Sequence, residues 1–181
     1  MFVKNKNKMA SKVKNLSDYK IESKADYTQF SFAIIVSEYH DEITAALAKG
    51  CLETMQEHGV LPNSIILDYI PGAYELPAAA ALILEKYEVD AVICLGCVIK
   101  GDTDHDKYIN QAVATELTRL STEMLTPVIL GLLTTNDKEQ ALDRAGGKHG
   151  NKGVECAIAA LKMAAFYDRH LLDEDDFGTL N

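Results

Sequence analysis

Short apolar runs alternate with stretches of helical spacing along most of this chain, and that alternation most constrains its fold. Residues 32–36 are almost entirely apolar, as expected for a strand buried on both faces. Residues 43–58 then carry apolar side chains at helical spacing and end before Gly59, a typical helix cap. Strands that alternate with helices are joined by right-handed crossovers, so the pattern predicts a parallel sheet covered on both faces.

The rest of the chain continues this pattern. Further strands are predicted at 64–70, 91–98 and 127–134. Further helices are predicted at 76–87, 109–124, 138–145 and 154–168, with a glycine-rich bend at 146–153. The predicted fold class is therefore α/β, a flavodoxin-like three-layer α/β/α sandwich with a central, mostly parallel four-stranded sheet.

The chain of 181 residues is predicted to form one domain at 29–170 between two polar ends. Residues 1–28 hold many lysines and are predicted to be a flexible arm, with a membrane- or RNA-binding tail as the alternative. Residues 171–181 are predicted to be an acidic tail. No apolar stretch has the length of a membrane span or the core of a signal peptide, so we expect a cytoplasmic protein.

Charge and cysteine content exclude some classes of function. A formal net charge of −9 argues against general nucleic-acid binding, but a phosphorylated small substrate needs only one local basic pocket. Four cysteines are too few and too scattered for a disulfide scaffold. Cys94 and Cys97 have CxxC spacing, but on a strand they point to opposite faces, which favours buried thiols over a redox or zinc site.

The segment LGCVIKGDTDH at 95–105 has the order of an anion site: an apolar strand, a polar turn and a helix start. Neither GxGxxG after a strand nor GxxxxGK[ST] is present, so a dinucleotide or P-loop site lacks its motif. In a parallel sheet, ligands bind beyond the carboxyl ends of the strands. We expect four breaks to meet there, at 37–40, 71–75, 100–105 and around 130–135.

Three side chains in these breaks are chemically useful together: Tyr39, Glu75 and His105. Taken singly, each also fits a structural role, as a turn aromatic, a helix N-terminal carboxylate and a polar helix start. Likewise, Arg144 fits a helix end and Lys152 a solvated surface. Only their joint placement indicates a site.

The chain resembles the lumazine synthase family in five segments that keep their order and spacing from about Phe32 to Met163. These segments are IPGAYELP, LGCVIKGDTDH, PVILGLLTT, EQALDRAG and GNKG. The resemblance implies the penultimate step of riboflavin biosynthesis. In that step 5-amino-6-(D-ribitylamino)uracil condenses with 3,4-dihydroxy-2-butanone 4-phosphate to give 6,7-dimethyl-8-ribityllumazine, phosphate and water. No cofactor or metal is implied, and neither a nucleic-acid nor a membrane partner.

The resemblance also implies roles for particular residues. His105 matches the histidine that transfers protons, and an imidazole is a side chain suited to both acid and base steps near neutral pH. The residues implied to bind the pyrimidine and ribityl groups are Tyr39, Ala73, Tyr74, Glu75, Cys97, Val98, Ile99 and Leu130. The residues implied to bind the phosphate are Gly101, Asp102, Thr103, Arg144 and Lys152.

Three positions depart from the family's usual pattern: Asp106 and Lys107 after the histidine, and Leu130 in place of a phenylalanine that packs across a subunit boundary. These departures keep an alternative open, a diverged or engineered assembly protein with weakened catalysis. A flavodoxin-like flavin binder is a further alternative, against which the missing anion loop after the first strand argues. The resemblance implies sites shared between the subunits of a pentamer, and the short joint before the last helix favours a shell of sixty chains.

Overall fold

The computed structural model describes residues 25–171, which form one α/β domain. A parallel sheet has the strand order β2-β1-β3-β4, and a two-stranded antiparallel hairpin, β5-β6, follows it. The strands are β1 (Phe32–Ser37), β2 (Ile65–Ile70), β3 (Ala91–Ile99), β4 (Val128–Thr135), β5 (Ala145–Gly147) and β6 (Gly150–Asn151). The helices are α1 (Asp41–Glu57), α2 (Leu76–Lys86), α3 (His105–Glu123), α4 (Lys138–Asp143) and α5 (Lys152–Leu171).

Two separate apolar clusters cover the two faces of the sheet, which confirms the predicted three-layer sandwich. Ile34 of β1 belongs to the cluster that includes α1 and α5, whereas its neighbour Ile35 belongs to the cluster that includes α2 and α3. Every residue of β1 is buried. The near-continuous apolar run in the sequence therefore arises because both faces of this central strand are covered.

The two CxxC thiols also lie on opposite faces of the sheet. Cys97 packs in the α1/α5 cluster and Cys94 in the α2/α3 cluster. All four cysteines of the chain are buried and free. The spacing is thus a consequence of the strand period, as predicted, and forms no dithiol pair.

The described fold includes a few residues before the predicted boundary at residue 29. Tyr27 is buried, and its ring lies 6.0 Å from that of Phe30 between centroids. Asp26 caps this turn by accepting hydrogen bonds from the amide and hydroxyl of Thr28. The sequence did not indicate this turn, because two aromatics do not make a periodic pattern.

The predicted flexible arm as far as residue 24, and the predicted acidic tail from residue 172 on, lie outside the described residues. At the C-terminal side, α5 continues to Leu171. No helix between residues 25 and 171 combines the length and the apolar character that crossing a membrane requires.

Candidate active site

A cavity of about 410 Å³ opens at the carboxyl edge of the sheet, where β1, β2 and β3 end. Of the predicted site residues it gathers ten, and four lie outside it, namely Asp102, Leu130, Arg144 and Lys152. The ten in its lining are Tyr39, Ala73, Tyr74, Glu75, Cys97, Val98, Ile99, Gly101, Thr103 and His105. The cavity is thus where the rule for parallel sheets predicts a ligand site.

Tyr39 and His40 form an aromatic wall of the cavity. Tyr39 is 70% exposed although its ring borders the cavity, and the His40 ring meets it edge-on at 4.8 Å between centroids. His40 has left-handed backbone angles, φ 62° and ψ 48°, and its carbonyl accepts hydrogen bonds from the Ile43 and Thr44 amides at the start of α1. Such a conformation is uncommon for a residue with a side chain and is often found at functional sites. His40 was missed from the sequence because no pattern signals a left-handed residue other than glycine.

The turn between β2 and α2 supplies a second wall. Ala73–Glu75 is a short 3₁₀ turn closed by a hydrogen bond from the Glu75 amide to the Gly72 carbonyl. A Cβ on Gly72 would lie 3.0 Å from Glu75 Oε2, so the carboxylate lies against this glycine. Tyr74 is exposed while Ala73 is buried. The turn therefore presents a phenol and a carboxylate at the cavity from a fixed backbone.

The end of β3 leaves part of its backbone unpaired towards the cavity. β3 pairs with β1 only as far as Leu95, whereas its pairing with β4 continues to Ile99. The edge of β3 that faces β1 is therefore open from Gly96 on. Backbone groups of Cys97 to Ile99 on that edge can bind the polar rim of a flat heterocycle. Burial raises the pKa of the Cys97 thiol to about 11, so this thiol is neutral near pH 7.

Residues 100–104 connect β3 to α3 as an exposed loop. Its first amide, that of Lys100, donates to the Thr135 carbonyl. Within the described chain, the amides of Gly101, Asp102 and Thr103 donate to no protein acceptor, and a Cβ on Gly101 would meet nothing within 4 Å. The Asp102 side chain is exposed and outside the cavity lining. The loop thus offers backbone donors beside His105, the first residue of α3.

Arg144 and Lys152 lie in a separate cluster of charges built around Glu155. Arg144 Nη2 lies 2.8 Å from Glu155 Oε1, and Lys152 Nζ lies 3.3 Å from Glu155 Oε2. The other Arg144 nitrogen, Nη1, donates to the carbonyl of His149 at 2.7 Å. The Glu155 side chain is only 7% exposed, compared with 27% for Arg144. The fork of Arg144 is therefore held in place before any ligand arrives.

The β5-β6 hairpin brings this cluster together, since the Lys152 amide donates to the Arg144 carbonyl at 2.8 Å. The sequence interpretation predicted a glycine-rich bend here, and the bend contains this short hairpin. Glu155 was not identified from the sequence. Its spacing of three residues from Lys152 at the start of a helix was the available signal, but such pairs are common on solvated helices.

Leu130 lies in the middle of β4 and not at the carboxyl edge of the sheet, and the strand period puts its side chain on the α2/α3 face with Leu132, away from α5. It pairs with Cys94 in the middle of β4, is 40% exposed, and its carbonyl lies 3.9 Å from the Cys156 thiol. We expected the stretch around 130–135 to meet the other three breaks. Only its end does so, where the Thr135 carbonyl accepts a hydrogen bond from the Lys100 amide. Leu130 was misplaced in that expectation because β4 continues to Thr135.

Among residues 25–171 no group of three or more histidine, cysteine, aspartate or glutamate side chains is arranged to hold a metal ion. The arrangement consists of an aromatic wall, a carboxylate, open strand backbone, a donor-rich loop and an imidazole. A second surface carries the two cations Arg144 and Lys152. These groups suit an uncharged polar heterocycle in the cavity and an anion near the loop.

An α/β sandwich with a cavity beyond the carboxyl ends of its parallel strands is the arrangement in which proteins of this fold class bind their ligands. The sequence profile of the 6,7-dimethyl-8-ribityllumazine synthase family matches residues 29–168. The chain belongs to this family.

Several curated relatives have the name of this family, and this chain matches them along almost their whole length. The 6,7-dimethyl-8-ribityllumazine synthase of Porphyromonas gingivalis is 49% identical over 156 residues, which cover 86% of this chain and 97% of the relative. That of Cytophaga hutchinsonii is 48% identical over 157 residues, 87% of this chain and 98% of the relative. That of Phocaeicola vulgatus is 42% identical over 161 residues, which cover 89% of this chain and 96% of the relative.

Proposed function

We propose that this chain is a lumazine synthase, a transferase of riboflavin biosynthesis. It condenses 5-amino-6-(D-ribitylamino)uracil with 3,4-dihydroxy-2-butanone 4-phosphate and releases the lumazine, phosphate and water. The observation that carries this proposal is the cavity itself, which joins an exposed aromatic ring, open strand backbone and an imidazole at one sheet edge. Family membership and the names of the relatives favour this enzyme over the assembly protein with weakened catalysis.

In the proposed binding mode the pyrimidine ring stacks on Tyr39 and its polar edge meets the open backbone of Cys97, Val98 and Ile99. The ribityl chain runs along the turn of Ala73, Tyr74 and Glu75, whose phenol and carboxylate can bond hydroxyl groups. The requirement that each polar group of the ligand finds a partner makes this edge selective. A ring lacking these donors and acceptors would leave strand backbone unpaired.

The phosphate of the second substrate lies in this proposal at the loop of Gly101, Asp102 and Thr103. Asp102 contributes its backbone, since its carboxylate is exposed outside the cavity. His105 then lies between the two substrates and moves protons during imine formation, phosphate elimination and ring closure. An imidazole is suited to this because it gives and takes a proton near neutral pH.

The proposal assigns Arg144, Lys152 and Leu130 to the site of a neighbouring subunit. They lie on a different part of the surface from the cavity of their own chain. An arginine fork binds phosphate with two parallel hydrogen bonds and complements the loop amides. Head-to-tail contacts of this kind close into rings, so we propose a pentamer, with further assembly to a shell of sixty chains. The free thiols fit a cytoplasmic location.

Steady-state kinetics with both substrates tests the proposed function. We expect turnover by the parent and a loss of roughly 10²- to 10⁴-fold in kcat for His105→Ala, the usual contribution of a general acid–base group. The matched control is His58→Ala, an imidazole bonded to the Thr54 carbonyl just beyond the end of α1. The 17 residues of α1 put it about 25 Å from the cavity end of that helix. A parent without turnover, or equal losses in both variants, would contradict the proposal.

A further inference from the structure

One carboxylate oxygen among the cavity residues has no partner. Asp106 lies in the first turn of α3, directly after His105, and lines the cavity. Its Oδ1 is shielded from solvent, and within the described part of the chain it has no hydrogen-bond partner. Burying a carboxylate oxygen without a hydrogen-bond donor costs substantial free energy. Such unpartnered buried oxygens are therefore rare in native structures.

The polar groups nearest in sequence do not supply the missing donor. Lys107 turns its ammonium to Asp104, at 2.8 Å, where both side chains are 64% exposed. Asn110, one helical turn on and on the same face, has a buried Oδ1 that also lacks a partner. Asn110 Oδ1 is an acceptor, so it adds to the demand for donors on this face.

The helix dipole explains part of this arrangement. A negative charge in the first turn of α3 is favoured by the exposed amides there. That effect accounts for a carboxylate at position 106, but it acts equally on an oxygen turned to water. It does not account for an oxygen shielded from solvent at the wall of a cavity.

We propose that Asp106 is a specificity-determining residue that accepts a hydrogen bond from an N–H group of the heterocyclic amine in the cavity. The inference rests on the proposed function for the identity of that amine. A phosphate is excluded as the partner of Asp106, because it carries acceptors and negative charge at neutral pH and the carboxylate repels it. An aminopyrimidine carries several N–H donors, and a charged acceptor binds such a donor more strongly than a neutral one.

Calorimetric titration of 5-amino-6-(D-ribitylamino)uracil alone into the parent and three variants tests this inference. Asp106→Leu removes the acceptor, and we expect binding to weaken roughly 10- to 100-fold, the range for a hydrogen bond to a charged group. Asp106→Asn keeps one oxygen and should lie between Asp106→Leu and the parent. Asp104→Asn, a neighbouring carboxylate outside the cavity lining, should bind like the parent.

Steady-state kinetics on the same variants gives the second readout. The KM for the amine should follow the calorimetric order, while the KM for the phosphorylated ketone should stay the same or fall. Thermal unfolding shows that each variant is folded, and if Asp106→Leu does not fold, Asp106→Asn decides.

The outcomes separate this inference from the proposed function. If the parent turns over and both Asp106 variants bind the amine as it does, the inference is overturned while the function stands. If the parent binds the amine but shows no turnover, the function fails and the binding order still decides the role of Asp106. An amine that does not bind the parent, or a higher KM for the phosphorylated ketone alone, would overturn the inference.

Discussion

The cavity and the cation cluster are built in opposite ways. The cavity residues come from the ends of three neighbouring strands and the start of α3, and several of them are exposed, among them Tyr39 and residues of the loop after β3. In the cation cluster, by contrast, both cations are paired within their own chain, because nearly buried Glu155 lies beside Arg144 and Lys152. The sheet edge leaves room for a ligand, whereas the cluster holds cations ready for one. This difference is consistent with the proposed site, which a second subunit completes.

The largest expected effect concerns the glycine that sets the start of α5. A Cβ on Gly153 would lie 1.9 Å from the Leu47 carbonyl oxygen, whereas one on Gly101 would meet nothing within 4 Å. Gly153→Ala should therefore lower the free energy of unfolding by about 2–3 kcal/mol, because the backbone of α1 must move. Gly101→Ala, on the cavity side, should change it by less than about 0.5 kcal/mol. Urea denaturation measures both, and equal stabilities would show that the two regions are equally tolerant.

Removing the charge of Glu155 should have a somewhat smaller effect. Glu155→Gln leaves Arg144 and Lys152 facing each other without a counter-charge, so we expect a loss of about 1–2 kcal/mol, below the range for fully buried pairs. The matched control is Glu123→Gln, which removes one of the two carboxylate partners of Arg119 on the surface of α3, where the side chains are about half exposed. That change should cost less than about 0.5 kcal/mol. If the two losses are equal, the cation cluster is no more organised than a surface pair.

Two thiols, one in each region, give the smallest expected effect. Burial raises the pKa of Cys97 in the cavity and of Cys156 beneath the cation cluster to about 11, with Lys152 and Arg144 partly opposing the shift at Cys156. A thiol has an ordinary pKa near 9 when unfolded. The folded state thus favours the neutral thiols, and this stability is complete below pH 9 and is lost as the pH rises towards 11.

Urea midpoints at pH 8.5 and 10.5 measure this loss. In Cys156→Ala the fall in unfolding free energy between the two pH values should be about 1 kcal/mol smaller than in the parent. Cys97→Ala should reduce the fall by a similar amount, because burial raises the pKa of both thiols to about the same value. An identical fall in all three proteins would show that neither thiol is held neutral by the fold.

How much the sequence could predict differs between the same two regions. The strand and helix order, the opposite faces of Cys94 and Cys97, and the meeting of residues 37–40, 71–75 and 100–105 follow from the strand period and the rule for parallel sheets. These are local or topological properties. The family resemblance pointed to Arg144 and Lys152 as phosphate-binding residues. Their position outside the cavity lining and their pairing with Glu155 depend on tertiary packing. The left-handed conformation of His40 and the unpartnered oxygen of Asp106 likewise cannot be predicted from a pattern of residue types.

The central claim is that one active site uses His105 of one chain and Arg144 of its neighbour, and mixing two inactive variants tests it most directly. His105→Ala and Arg144→Ala should each be nearly inactive alone. When they are unfolded and refolded together in equal amounts, a chain with an intact cavity can meet a neighbour with an intact arginine. Random assembly into rings then predicts roughly a quarter of the parent's turnover. Equal activity before and after mixing would contradict the account, because it would mean that both residues serve the same chain.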